Sequence, residues 1–236
     1  MRRVELERGF LPQAEGSCLI TMGQTRVVCT VTVEDKVPPW RRGMGGWLTA
    51  EYAMLPRATA QRTAREVTRG HPSGRSHEIQ RLIGRSLRQA LDLKAIGDRT
   101  LWVDCDVLQA DGGTRTASIT GAMVALVDAL CWLQDLDRTV GRPLLRQIAA
   151  VSAGIVGGEA VLDLTYQEDA QADVDANFVL TSEGSFVELQ ATAEAAPLGP
   201  AQFDLLLALA REGTDHLLDL QAEALGERLT RVMRHA

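Results

Sequence analysis

The sequence predicts an α/β fold in two lobes, and three observations carry that prediction. Runs rich in β-branched residues come largely in pairs, glycine turns join the pairs, and apolar residues at helical spacing separate the groups. Residues 17–22 and 25–33 form the first pair, turning at Gly23-Gln24. A loop rich in Pro, Arg and Gly follows from Pro38 to Gly46, and then a short strand near Leu48–Met54. Residues 57–74 carry Gly70, Pro72 and Gly74 as breakers and read as irregular. A helix is expected from about Arg75 to Leu91, with Ile79, Leu82, Ile83, Leu87 and Leu91 at helical spacing. Trp102 to Gln109 alternates as a strand, with Asp104 and Asp106 on a polar face opposite Val103, Cys105 and Val107. The next helix, from about Thr116 to Leu133, has an apolar run interrupted by Asp128 and too short to span a bilayer, so it is read as buried. Two more hairpins are expected: Gln147–Val156 with Ala160–Thr165 through Gly157-Gly158, and 174–181 with 185–191 through Glu183-Gly184. Two amphipathic helices, about 200–211 and 214–233, close the chain. The order predicts one domain over residues 1–236, with an N-terminal lobe to about 140 and a C-terminal lobe from about 141.

The 45% hydrophobic and 24% charged residues of this 236-residue chain suit a soluble globular protein with a substantial core. Aromatics make up 4%, which argues against a stacking-rich single-strand platform. The N-terminus has no apolar stretch of the kind a secretory signal needs. Cys18, Cys29, Cys105 and Cys131 form no C-x-x-C pair and sit in apolar runs, which reads as reduced core residues in a cytoplasmic protein. The four histidines show no ligand-like spacing, so zinc is not expected. A net charge of −6 argues against a nucleic-acid partner until its distribution is considered. Between Arg57 and Arg88 stand eight arginines (57, 62, 65, 69, 75, 81, 85 and 88) against Glu66 and Glu78, whereas residues 159–204 hold ten acids and no Lys or Arg. That asymmetry suits a phosphate-polymer groove beside an acidic, metal-binding site; the alternative is two solvated faces that balance.

The stretch Asp104-Cys-Asp-Val-Leu-Gln-Ala-Asp-Gly-Gly-Thr-Arg115 is the most informative part of the chain. It reads as a strand ending in a glycine turn that opens directly into a helix, which points free N–H groups and the helix dipole at one spot. Gly112 and Gly113 let an anion approach the backbone, Thr114 caps or donates, and Arg115 supplies a bidentate fork. The combination predicts a phosphate seat. Arg75 at a helix start opposes the dipole, a local cost that a bound phosphate would offset, whereas Arg81, Arg85 and Arg88 read as a solvated or interface face. Asp169 and Asp175 lie six residues apart across a short connection and can converge at one strand end. Such a pair suits Mg²⁺ or Mn²⁺ shared with substrate phosphates; turn and cap chemistry is the other reading. Asp104 and Asp106 are read as a polar strand face without a catalytic role.

Four segments carry a family resemblance: Gly46 to Thr59, Gly74-Arg-Ser-His-Glu-Ile-Gln-Arg-Leu-Ile-Gly-Arg85, Asp104 to Thr116, and Phe186-Val-Glu-Leu-Gln-Ala-Thr-Ala-Glu194. They resemble the bacterial ribonuclease PH family, phosphate-dependent 3′→5′ exoribonucleases that trim tRNA precursors, and the likeness runs from about residue 2 to about 230. The resemblance implies a ribosomal-S5-domain-2-like α/β sandwich and a homohexameric ring made of three dimers. It places bound phosphate on Arg75, Gly113, Thr114 and Arg115, and metal-binding catalytic carboxylates at Asp169 and Asp175. It also assigns guidance of the tRNA acceptor stem to Arg57, Arg62, Arg65 and Arg69, and inorganic phosphate the part of co-substrate. Family members open with an Arg-x-Asp-Gly-Arg segment and this sequence starts after it, which leaves that segment's part in the subunit interface or RNA path open. Two rival functions stand beside phosphorolysis: a catalytically silent RNA-binding subunit of an exosome-like ring, and a hydrolytic metal-dependent nuclease. The first has no need of both Arg115 and the carboxylate pair, and the second has no need of a phosphate cradle.

Overall fold

Alternating β-branched residues build two sheets, and one long helix is packed against both. The computed structural model describes residues 1–194 and 197–234, apart from the side chains of Val67 and Arg69. The first sheet has the order β1-β2-β3-β5-β4, from β1 (Val4–Arg8), β2 (Gly16–Met22), β3 (Thr25–Glu34), β4 (Trp47–Met54) and β5 (Thr100–Gln109). Its pairs are antiparallel except β4 and β5, which run parallel because α1 (Gly74–Arg88) lies in the connection between them. The second sheet, β7-β6-β8-β9, is antiparallel throughout and consists of β6 (Ile148–Val156), β7 (Glu159–Leu162), β8 (Val174–Thr181) and β9 (Phe186–Ala193).

The helix α2 (Thr114–Leu136) packs against β2 and β3 of the first sheet and against β6 of the second. At 23 residues it is long and apolar enough to cross a membrane, which corrects the sequence expectation of a run too short to span one; nearly all of it is buried inside the protein, as that reading expected. Its polar atoms at the joint are satisfied. The Thr120 hydroxyl donates to the Ala150 carbonyl and accepts from the Ala150 N–H, while the Gln221 amide donates to the Thr120 and Ile148 carbonyls. One apolar cluster therefore runs from Cys18 through Val124 and Val151 to Val232 without a break.

Three elements differ from the sequence expectation. The strand β1 was not anticipated; it is half-buried at a sheet edge, and its charged alternate residues weaken the apolar signal. The four-residue helix α3 (Tyr166–Asp169) stands where a plain connection was expected, started by a capping box between Thr165 and Glu168. The two closing helices are one helix, α4 (Pro200–Leu225), followed by the short α5 (Glu227–Val232). The break was placed near Gly213, but that glycine lies inside α4, where a Cβ would stand 2.9 Å from Leu162 Cδ1. It is there for close helix-to-sheet packing, and the chain breaks at Gly226 instead.

The four cysteines are free and buried. Cys18, on β2 beneath the core, has its thiol pushed up from the ordinary 9.0 to about 12, first by burial and then by Asp128, with Arg8 opposing. Because the folded value lies above the unfolded one, this stabilisation is complete below pH 9 and is lost as pH rises toward 12. The loss should reach about 2 kcal/mol near pH 10.5. Urea denaturation of Cys18→Ala should show a shallower fall in stability from pH 8 to 10.5 than the natural chain, and parallel profiles would remove this thiol from the alkaline transition.

Candidate active site

The turn between β5 and α2 is shaped by two consecutive glycines in the left-handed region, Gly112 at φ 73° and Gly113 at φ 63°. Gly113 is the N-cap of α2, and the first backbone N–H to bond back is that of Ala117, to the Gly113 carbonyl. The preceding N–H groups of the first turn have no partner within the helix and face out from its positive end. Three side chains fix the turn from below. Thr25 accepts from the Asp111 N–H at 2.9 Å and donates to the Gly112 carbonyl at 2.7 Å. Tyr52, buried on β4, meets the Thr114 hydroxyl at 2.9 Å, so the first helical side chain is held by the sheet. Burial raises the Tyr52 phenol, and the bond to Thr114 opposes that rise. Arg2 reaches across from the N-terminus: it donates to the Asp111 carbonyl and holds the fully buried Asp163 carboxylate through Nε at 2.9 Å and Nη2 at 2.6 Å.

That brace joins the turn to the second sheet. Asp163 has φ 62°, a strained value for a residue with a side chain, and the ion pair with Arg2 holds it there. Just beyond it, the backbone of Leu164 to Tyr166 lies so close to Gly112 that a Cβ at that glycine would stand 2.2 Å from the Leu164 oxygen. The Tyr166 N–H donates to Asp111 Oδ1 at 3.2 Å. Helix α3, which ends in Asp169, is thus fixed against the glycine turn.

A cleft of about 350 Å³ opens between the two sheets, and Arg75, Gly112, Gly113, Thr114, Arg115, Asp169 and Asp175 all line it. Arg75 is the second residue of α1, whose N-cap Ser73 accepts from the Ser76 N–H. Arg115 is held at the rim by Glu78 at 2.9 Å and the Gln190 side-chain oxygen at 3.1 Å. Asp175 lies on β8, opposite Gly154 and Thr192, while Asp169 comes from α3. The Asp169 carboxyl keeps one flank open to solvent, yet its pKa is raised by burial against the cleft wall and then by the charge of Asp175, with Arg75 and Arg115 opposing. Two carboxylates beside a helix N-terminus with Arg75 and Arg115 have the chemistry to hold a divalent cation that takes one or two protein ligands and completes its shell elsewhere. Among the described residues no group of three or more acidic, His or Cys side chains forms a self-sufficient metal cage.

The structure places the remaining residues named from sequence as follows. Arg57, Arg62 and Arg65 are exposed on the loop that leaves the cleft after Met54, and Thr59 of that loop lines the cleft. The side chain of Arg69 lies outside the described residues. Asp104 and Asp106 project from β5 away from the cleft, on the face where β4 presents Glu51 alongside Asp104. Both carboxyls are raised by partial burial first and by repulsion from Glu51 next. Sequence reasoning missed Arg2, Thr25, Tyr52, Glu78, Asp163 and Gln190. Tyr52, Glu78 and Gln190 sit inside motifs it did single out, without being given a role; Arg2, Thr25 and Asp163 act across 86 residues or more, where no local pattern reports them.

Residues 1–131 match domain 1 of the 3′ exoribonuclease family and residues 146–213 match domain 2. The chain is 58% identical over 226 residues to a protein of Methylorubrum populi named Ribonuclease PH, covering 95% of each. It is 57% identical over 227 residues to the Ribonuclease PH of Methylobacterium sp. strain 4-46, covering 96% of each. Among solved structures, rice Rrp46 superposes with a TM-score of 0.77 at 17% identity, covering 95% of both chains. The Archaeoglobus fulgidus exosome with RNA bound to the active site gives 0.75 at 24%, covering 92% of this chain and 87% of that one. At such identities the likeness to solved structures concerns the fold, the S5-domain-2-like sandwich of two sheets.

Proposed function

This chain belongs to the 3′ exoribonuclease family, and from that premise we propose that its cleft performs phosphorolysis: inorganic phosphate removes nucleotides one at a time from the 3′ ends of tRNA precursors. The observation that carries the reading is one cleft lined by both an anion seat and a carboxylate pair. Gly113, Thr114, Arg115 and Arg75 hold the attacking phosphate through backbone N–H groups, a hydroxyl and two guanidinium groups. A phosphate oxygen attacks the last phosphodiester phosphorus in line, the bond from phosphorus to the 3′-oxygen breaks, and that oxygen takes up the proton carried by hydrogen phosphate. The products are a nucleoside 5′-diphosphate and an RNA shorter by one residue. The diphosphate keeps the energy of the broken ester, so the reaction runs in both directions. Mg²⁺ or Mn²⁺ held by Asp169 and Asp175 would supply positive charge opposite the phosphoryl oxygens and the leaving 3′-oxygen. The chain's own guanidinium groups contribute to the same field from the other side. Arg57, Arg62, Arg65 and Arg69 guide the acceptor stem by contacts to its backbone, which carry no sequence information.

A silent RNA-binding subunit leaves the phosphate seat unexplained, and a hydrolase needs none. One assay separates the three: RNA incubated with the protein in phosphate buffer and in a non-nucleophilic buffer. Diphosphates released only with phosphate are expected; monophosphates in both buffers, or no release in either, would overturn the reading. Arg115→Ala should raise the phosphate KM about 10- to 100-fold, the range for losing a hydrogen bond to a charged partner, and an unchanged phosphate dependence would remove Arg115 from the seat.

The same proposal includes a homohexamer of three dimers and a cytoplasmic setting. Exposed Trp132 and Leu136 at the end of α2 and Leu205 on α4 offer apolar surface for contacts between copies. Four buried free thiols suit a reducing compartment. Sedimentation at the mass of six chains checks the assembly, and a monomer would exclude it.

A further inference from the structure

Only two tyrosines occur in the chain, and both bear on this cleft. Tyr52 is buried beneath the seat and holds Thr114. Tyr166 stands at the mouth, with 65% of its surface exposed, and it is the sole aromatic residue among those lining the cleft. Its backbone is held by the Asp111 carboxylate and lies close to Gly112, so the residue's Cα is fixed beside the glycine turn. It is the first residue of α3 and Asp169 is the last, a spacing of three that puts both side chains on one face of the helical turn.

From this arrangement we infer that Tyr166 is the stacking platform for the base of the 3′-terminal nucleotide. The inference rests on the phosphorolytic reading of the cleft. A nucleotide whose phosphorus lies between the seat and the carboxylates projects its ribose and base toward the mouth, where Tyr166 offers the one aromatic face. Met54, Ala110 and Leu164 supply apolar lining to the same cleft. Every base has a π-face, so a platform of this kind grips the terminal nucleotide whatever its identity. Progressive trimming requires that tolerance, since each cycle presents a different base. An exposed tyrosine with no ligand would need neither the braced backbone nor its place one turn from Asp169.

Four proteins (the natural chain, Tyr166→Ala, Tyr166→Phe and Tyr166→Trp) and two RNAs, one with an ordinary 3′ end and one ending in an abasic ribose, test the inference. Tyr166→Ala should raise the RNA KM roughly 5- to 150-fold, the value of one base–aromatic stack, with the phosphate KM unchanged. Phenylalanine and tryptophan should preserve the natural RNA KM, because stacking does not use the hydroxyl. The abasic RNA should bring the natural chain down to the level of Tyr166→Ala and cost that variant nothing further. An unchanged RNA KM in Tyr166→Ala, or the same abasic penalty in both proteins, would overturn the platform. Binding of the two RNAs in phosphate-free buffer reads the same differences without turnover, so a chain that released no diphosphate would sink the phosphorolytic reading while this comparison still decided the role of Tyr166.

Discussion

Gly112→Ala should abolish phosphate-dependent nucleotide release, by at least about 100-fold, while lowering stability by a few kcal/mol. Two independent costs meet at this position. A φ of 73° is the left-handed region, which costs an L-residue roughly 1–2 kcal/mol. A methyl group there would also stand 2.2 Å from the Leu164 oxygen, 2.8 Å from the Thr165 carbon and 3.0 Å from the Tyr166 nitrogen. All three are backbone atoms, so no flexible side chain can yield; the turn and α3 must separate. That separation moves the seat relative to Asp169, and displacements near 1 Å in a reacting constellation cost about 100-fold. Gly158→Ala is the control. It has φ 87° but open space around the added carbon, so it should lose only the backbone term and keep its activity. Thermal midpoints and diphosphate release measured on both variants separate strain from misplacement. A fully active Gly112→Ala would show that the phosphate turn and α3 do not need their close contact.

The contrast between that turn and its supports shows what a sequence makes legible. The strand, the glycine turn and the helix start were readable because their signals are local: a strand, two glycines, a threonine and an arginine follow one another. The carboxylates were readable as a pair because six residues of connection leave them little room to diverge. Arg2 and Asp163 are 161 residues apart, and only the joining of the two sheets brings them together under the turn. Tyr52 lies within the Gly46 to Thr59 segment, but its bond to Thr114 spans 62 residues and no local pattern assigns it that role. The expected gap between helices at about 211–214 is continuous helix in the structure, because Gly213 packs against Leu162 and Val151 of the second sheet. Helix α3 was within reach, since Thr165 and Glu168 have the spacing of a capping box, but four acidic and polar residues offer no apolar period to support it. The α/β class followed from hydrophobic and turn patterns and the S5-domain-2-like sandwich from the family resemblance, whereas the rigidity of the site depends on contacts between the two sheets.

Asp169→Asn should lower kcat by at least about 100-fold and raise stability at neutral pH, an opposite pair of effects that only a functional carboxylate would show. The shape of the side chain is preserved and the charge is removed. In the natural chain that charge is held against burial and against Asp175, so the folded state raises the Asp169 pKa above its unfolded value. Native protein thus binds this proton more tightly than unfolded protein does. The stability this contributes is present below the unfolded pKa and is lost as pH rises through the folded one. At pH 7 the ionised Asp169 carboxylate is therefore a net penalty, with Arg75 and Arg115 offsetting part of it. Removing one member relieves the repulsion, so the thermal midpoint in the presence of a chelator should rise. Turnover should fall for the same reason that stability improves, because in the proposed mechanism the repelling pair would hold the divalent cation. The phosphate KM should stay level or drop, since a negative neighbour of the seat has gone, and RNA binding should persist because Arg57, Arg62 and Arg65 lie on a separate loop. Asp175→Asn should behave alike, and the double variant should lose little more than either single one, as expected of groups that act as a unit. An Asp169→Asn protein with natural kcat would place the chemistry elsewhere in the cleft, and one with lowered stability would show that the carboxylate is held for structure rather than for turnover.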